Sequence, residues 1–126
     1  MAAIVFDTGA LIAIDRGDRR VGALLHAAAR DQLDVVTSCA CVSEAWRDPA
    51  RQARLARALA GVIERPLDPA AARDSGVLLG RARASDIAHA AVALLAGPSD
   101  TIVTSDPTDM TVLVDVLRTG ARVLPI

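Results

Sequence analysis

The stretch Ala3-Ile4-Val5-Phe6-Asp7-Thr8-Gly9-Ala10-Leu11 decides the fold. Four apolar residues run without alternation and stop at an aspartate. A strand covered on both faces needs such a run, whereas a half-exposed strand would alternate with polar residues. Thr8-Gly9 then turns the chain into Ala10-Leu11-Ile12-Ala13-Ile14, a short helical segment. In an open parallel sheet the functional crevice lies beyond the carboxyl ends of the strands. Asp7 is therefore predicted to stand at that mouth.

Strand and helix patterns alternate along the rest of the chain. Gly17-Asp18 breaks the chain and caps a helix carrying Val21, Leu24, Leu25 and Ala28 at helical spacing up to about Arg30. Leu33 to Thr37 is the second strand. Ala40 to Trp46 is read as a helix, interrupted at Asp48-Pro49 and resumed from Arg51 to Leu59. Gly61 to Pro66 gives a third strand, placed at an edge because a proline cannot donate within a central ladder. Asp68-Pro69 starts a helix running to about Arg81. Ser85-Asp86 starts another over Ile87 to Leu95, closed by Gly97-Pro98. Thr101 to Thr104 is the fourth strand, Pro107 to Leu117 a helix, and Arg122 to Leu124 the last strand. With no strand-turn-strand signal, the pattern predicts a parallel sheet with helices on both faces, one α/β/α domain over residues 1–126.

Composition agrees. A chain of 126 residues, 52% of them apolar, is long enough to bury a core, yet it has one Trp, one Phe and no Tyr. Its core must come from Ala, Val, Leu and Ile, which suits helices lying close on a sheet. A net charge of −1 lacks the basic excess of a protein that coats nucleic acid, but an enzyme that holds its own cations need not be basic. Cys39 and Cys41 are too close for an ordinary bridge and lack partners for a zinc site; they are read as small, buried or half-buried residues of a reducing compartment. No basic leader and no apolar run of membrane-spanning length occurs, so a cytoplasmic protein without a membrane segment is expected.

Asp7 and Asp106 each follow a short apolar strand and should face the same crevice. Glu44 and Asp86 lie on helices with apolar surroundings. Asp86 serves either as a helix N-cap or as part of an acidic pocket. Carboxylates gathered at one mouth repel one another, and burial makes this worse, unless a divalent cation neutralises them. An oxygen-only donor set suits Mg2+ or Mn2+ rather than Zn2+, and such ions activate water and steady the charge of attack on a phosphodiester.

Three other protein classes share features of the opening. Asp-Thr-Gly-Ala is also the signature of dimeric aspartic proteases, whose chains are nearly all strand; the helical patterns exclude them. Phosphoaspartate receivers and haloacid-type phosphatases place an Asp after an early strand but rely on a lysine. All 14 basic residues here are arginine.

The run Val5-Phe6-Asp7-Thr8-Gly9-Ala10-Leu11-Ile12-Ala13 resembles the start of PIN-domain ribonucleases, especially the VapC-type toxins of bacterial toxin–antitoxin pairs. Ser43-Glu44-Ala45-Trp46, Ser85-Asp86-Ile87-Ala88-His89-Ala90 and Thr104-Ser105-Asp106-Pro107-Thr108-Asp109 continue the resemblance in order. The resemblance implies a PIN-like domain with a parallel sheet of about five strands and a metal-dependent endoribonuclease. It implies that Asp7, Glu44, Asp86 and Asp106 form the catalytic and metal-binding set, with Asp109 as a second-rank ligand and Thr8 and Thr104 in support. It also implies an RNA substrate, a homodimer and a small cognate antitoxin protein. Where several relatives carry a second acid one turn after Asp86, this chain has His89, which lowers the local negative charge and weakens a second ion's site; it is read as a partly buried structural residue, with metal ligation or a phosphate contact as the other reading. A PIN-fold protein that binds RNA or a partner with weakened catalysis is the alternative.

Arg47, Arg51 and Arg54, at i, i+4 and i+7, would share one helical face and could meet RNA phosphates; the same spacing also describes a solvated surface. Trp46 is read as a core or dimer-interface anchor. His26 lies on an ordinary amphipathic helix with no functional role expected, and the aspartates at positions 15, 18, 31 and 34 have ordinary turn and helix-end roles.

Overall fold

The computed structural model describes residues 2–126. Five strands form one parallel sheet in the order β3-β2-β1-β4-β5: β1 Ala3–Phe6, β2 Asp34–Ser38, β3 Ile63–Arg65, β4 Thr101–Thr104 and β5 Arg122–Pro125. Seven α-helices connect them: α1 Thr8–Asp15, α2 Arg19–Arg30, α3 Cys39–Ala45, α4 Ala53–Leu59, α5 Pro69–Ala82, α6 Ile87–Leu95 and α7 Pro107–Leu117. Helix α1 packs against α2, α3 and α4, while α5, α6 and α7 pack on one another, so the sheet lies between helical layers. The expected α/β/α architecture, with five parallel strands and β3 at an edge, is what the chain forms.

The most apolar strand takes the centre. Val5 and Phe6 are wholly buried, and β1 pairs with β2 on one side and β4 on the other. The register matters for the site. Phe6 lies level with Thr37 and with Val103, so the three central strands end together and the residues after them emerge side by side. Alanines let α6 lie close to this sheet: Ala88, Ala90, Ala91 and Ala93 are buried along it, together with His89 and Val92. A bulkier helix could not bring residue 89 so near the end of β1.

The interruption expected at Asp48-Pro49 is present but longer than the sequence indicates, covering residues 46–52. Helix α3 stops at Ala45, Trp46 is extended (ψ 125°), Pro49–Arg51 is a single 3-10 turn, and α4 starts only at Ala53. Pro49 removes a backbone donor, and buried Gln52 replaces what the helix would have supplied. Its Oε1 accepts from the N–H groups of Arg47 (2.7 Å) and Asp48 (3.0 Å), and its Nε2 donates to the carbonyl of Ala45 (2.8 Å). Gln52→Ala is expected to cost about 1 kcal/mol for each bond left unmade in the interior, read as a lower urea midpoint with an unchanged slope. An unaltered midpoint would mean that water replaces the side chain without loss.

The break also removes the arginine stripe. Arg47, Arg51 and Arg54 do not share a helix, so their spacing aligns nothing. Arg47 Nη1 instead donates to the carbonyls of Ser43 and Trp46 (2.8 Å each), closing the end of α3. Arg51 pairs with Asp48 at 3.6 Å, and Arg54 approaches Gly17. Trp46 is half-buried against the core, in line with its reading as an anchor. The cysteines divide: Cys41 is buried, but Cys39 is exposed, contrary to the expectation for both.

Candidate active site

Asp7 is the buried centre of the site, with only 1% of the residue accessible. It follows β1 and adopts an extended backbone, so its carboxylate caps α1 by accepting from the Thr8 N–H at 2.8 Å through Oδ1. Its own N–H donates to the carbonyl of Val103 at 3.0 Å, tying it to β4. Thr104 Oγ1 donates to Asp7 Oδ2 at 2.8 Å and accepts from the Asp106 N–H at 3.0 Å. Thr104 thus links the two acids that follow adjacent strands. Burial pushes the Asp7 carboxyl above its ordinary value; the hydrogen bond from Thr104, the nearby His89 and the Thr8 N–H oppose that shift, and Asp86 adds to it.

His89 joins the carboxylates. Its Nε2 is 3.3 Å from Asp7 Oδ2 and 3.2 Å from Asp106 Oδ2, while its Nδ1 is 3.6 Å from Asp86 Oδ2. Asp86 has the capping role foreseen as one alternative: its Oδ1 accepts from the His89 N–H at 3.0 Å. Its second oxygen nevertheless faces the imidazole, so capping and membership of the acidic mouth are not exclusive. The histidine here is buried and lies within 3.6 Å of all three acids.

Glu44 stands at the margin of the cluster. It is exposed, and its Oε1 accepts from Thr8 Oγ1 at 2.7 Å. Thr8 thus bonds Glu44, as Thr104 bonds Asp7 and Asp106. Asp109 lies in the first turn of α7 and shares a cavity of about 370 Å³ with Arg83, Ser85, Asp86 and His89. A second hollow, of about 580 Å³, runs past Glu44, Ser43 and Ala40 on the other side of Asp86.

Three contributors were not foreseen. Cys41 Sγ lies 3.8 Å from Asp7 Oδ1, and burial pushes its thiol up to about 12, so it remains a neutral floor to the site. Thr37 Oγ1 donates to the Phe6 carbonyl at 2.7 Å and fixes the end of β1 from β2. Gly9 lets Ser105 approach α1: a Cβ at position 9 would lie 2.7 Å from Ser105 Cβ and 3.3 Å from its backbone nitrogen, with Ser105 Oγ closer still. Only the Asp-Thr-Gly run hinted at the last of these.

The donor chemistry suits a hard divalent cation: Asp7, Asp86 and Asp106 all approach one imidazole, and Glu44 is tied to the residue beside Asp7. Among the described residues, however, no three His, Cys, Asp or Glu side chains already converge as a metal centre. Asp7 is fixed by two hydrogen bonds, whereas the Asp106 side chain is 54% exposed and unused as a helix cap. Turning Asp106 is the adjustment available.

No protein-family model and no curated protein matches the sequence. The fold does have a solved counterpart. It superposes with a TM-score of 0.66 on a chain from the crystal structure of VapBC2 from Rickettsia felis bound to a DNA fragment from their promoter, at 12% identity, covering 100% of this chain and 99% of that chain. The two chains share a fold from end to end. No helix among the described residues is long and apolar enough to cross a membrane.

Proposed function

We propose that this chain is a metal-dependent endoribonuclease, the toxin of a toxin–antitoxin pair, with Asp7, Asp86, Asp106 and Glu44 around its reaction centre. One observation carries the reading: three carboxylates from separate parts of the chain surround one buried imidazole beside the ends of β1 and β4, and one of them is buried at the cost of a raised pKa. A fold keeps a buried acid in such company when a cation rewards it. Mg2+ or Mn2+, when bound, would supply an activated water and charge stabilisation for in-line attack on phosphorus. Asp7 and Asp106 would hold it, Thr104 would orient both, and Glu44 would act from the margin through Thr8. Asp109 would serve only from the adjoining cavity.

The hollows on either side of Asp86 would let a single strand of RNA pass across the acids, with Arg83 near one end. Likeness of fold to a chain of a VapBC2 complex supports a small antitoxin as partner and agrees with a cytoplasmic toxin. A homodimer remains part of the proposal, on the family resemblance alone.

A second reading, binding of RNA or a partner without cleavage, is favoured by one feature: His89 already spans Asp7 and Asp106. Incubating the purified chain with RNA and Mg2+ or Mn2+ separates the two. The nuclease reading expects cleavage that excess chelator stops and that Asp106→Asn lowers at least about tenfold. Cleavage indifferent to chelator would sink the metal mechanism. Retention of RNA with no cleavage under either ion would establish the second reading.

A further inference from the structure

We propose that His89 is itself a ligand of the cation, through Nε2, and that Asp86 acts on the metal through His89 rather than by direct ligation; this rests on the metal-dependent reading above. Adjacent ligands of an octahedral ion at about 2.1 Å are separated by about 3 Å. Nε2 stands 3.3 Å from Asp7 Oδ2 and 3.2 Å from Asp106 Oδ2, close to that spacing on both sides. The ring has little freedom to leave. It is 91% enclosed, it belongs to the first turn of a helix packed among alanines, and its backbone N–H is held by Asp86 Oδ1. A cation drawn to Asp7 Oδ2 would lie beside this nitrogen, with Asp106 turning to complete the set, since among the described residues no three donors converge already.

Asp86 completes the arrangement from behind. Its Oδ2 is 3.6 Å from Nδ1, on the side of the ring away from the other two acids. That distance is longer than a hydrogen bond, but the Asp86 side chain is 47% exposed and a small rotation closes it. A ligating histidine usually gives its other N–H to a carboxylate, which fixes the tautomer and leaves the first nitrogen free for metal. Asp86 is placed to do this, and its capping bond holds it at the right residue.

A nitrogen in an otherwise oxygen set changes selectivity. Imidazole suits first-row transition ions, whereas Mg2+ favours carboxylate, carbonyl and water. The site should therefore prefer Mn2+ to Mg2+ more strongly than an all-oxygen version would.

Pulsed EPR of the Mn2+-loaded full chain reads the ligand directly. Coupling to a single 14N nucleus is expected in the wild type, replaced by 15N coupling when histidine is isotopically labelled, and lost in His89→Gln. His89→Asp should lower the ratio of Mn2+ to Mg2+ affinity about tenfold or more, and Asp86→Asn should weaken Mn2+ binding about 10- to 100-fold while keeping the nitrogen coupling. Mn2+ bound in an Asp7-dependent manner with no nitrogen coupling would overturn the assignment of His89 and leave the nuclease reading standing. Failure of the wild type to bind Mn2+ or Mg2+ at all would overturn both. The wild-type spectrum alone decides the ligand, so a variant that misfolds does not blunt the test.

Discussion

Asp7→Asn is expected to abolish RNA cleavage, by more than about 100-fold, while making the metal-free chain more stable at neutral pH. The two effects have one origin. Asparagine fits the same space and can keep partners: Thr8 N–H on its oxygen, and Thr104 Oγ1, His89 Nε2 or both on its amide. What it lacks is the charge. Burial raises the pKa of Asp7, so between the ordinary carboxyl value near 3.8 and that raised value the folded chain binds more protons than the unfolded one. Stability attributable to Asp7 therefore falls as pH climbs through this window, and above it the fold carries the full cost of a charged buried acid. The gain from asparagine should be about 0.5–2 kcal/mol at pH 8, in the range of other substitutions that relieve a functional site. It should shrink or vanish by pH 4. Urea unfolding of both proteins in chelator at the two pH values measures this, and equal stability at both would refute the account. Added Mn2+ should reverse the order, since only the wild type gains from binding it.

Gly9→Val should be the most damaging substitution outside the core. The side chain would be driven into Ser105, whose neighbours Thr104 and Asp106 build half of the site. Overpacking of this kind costs about 1–3 kcal/mol, and here it would also push the β4–α7 connection away from Asp7. Stability and cleavage should fall together. Gly9→Ala should show a milder form, relieved by Ser105→Gly, because the remaining obstacle is then the backbone nitrogen at 3.3 Å. A double-mutant cycle gives the coupling. If Ser105→Gly brings no recovery, close approach is not the reason for glycine at position 9.

What could be read beforehand depended on whether the signal was local. Helices α6 and α7 and strand β4 have the bounds their apolar runs and proline or glycine stops predict, because each signal lies within the segment it governs. Asp7 and Asp106 were legible for a related reason: a carboxylate just after an apolar strand has one place to go in a parallel sheet. The interruption after Ala45 was not legible in full. Asp48-Pro49 marked it, but nothing in a lone Gln52 tells that its amide will hold three backbone groups. The arginine spacing misled because it assumed a helix through that break. For His89, the sequence placed it one turn from Asp86; only the close seat of α6 on the sheet carries its ring to Asp7 and Asp106.

The position of β1 at the middle of the sheet has a consequence in time. Asp7 is made before Thr104, its hydrogen-bond partner, which is 97 residues further on. At typical rates of synthesis that interval is about 5–20 s. Until it ends β1 has no β4 to pair with, and Asp7 lacks the bond from Thr104 Oγ1. The carboxylate cluster thus exists only once the fourth strand has docked beside the first.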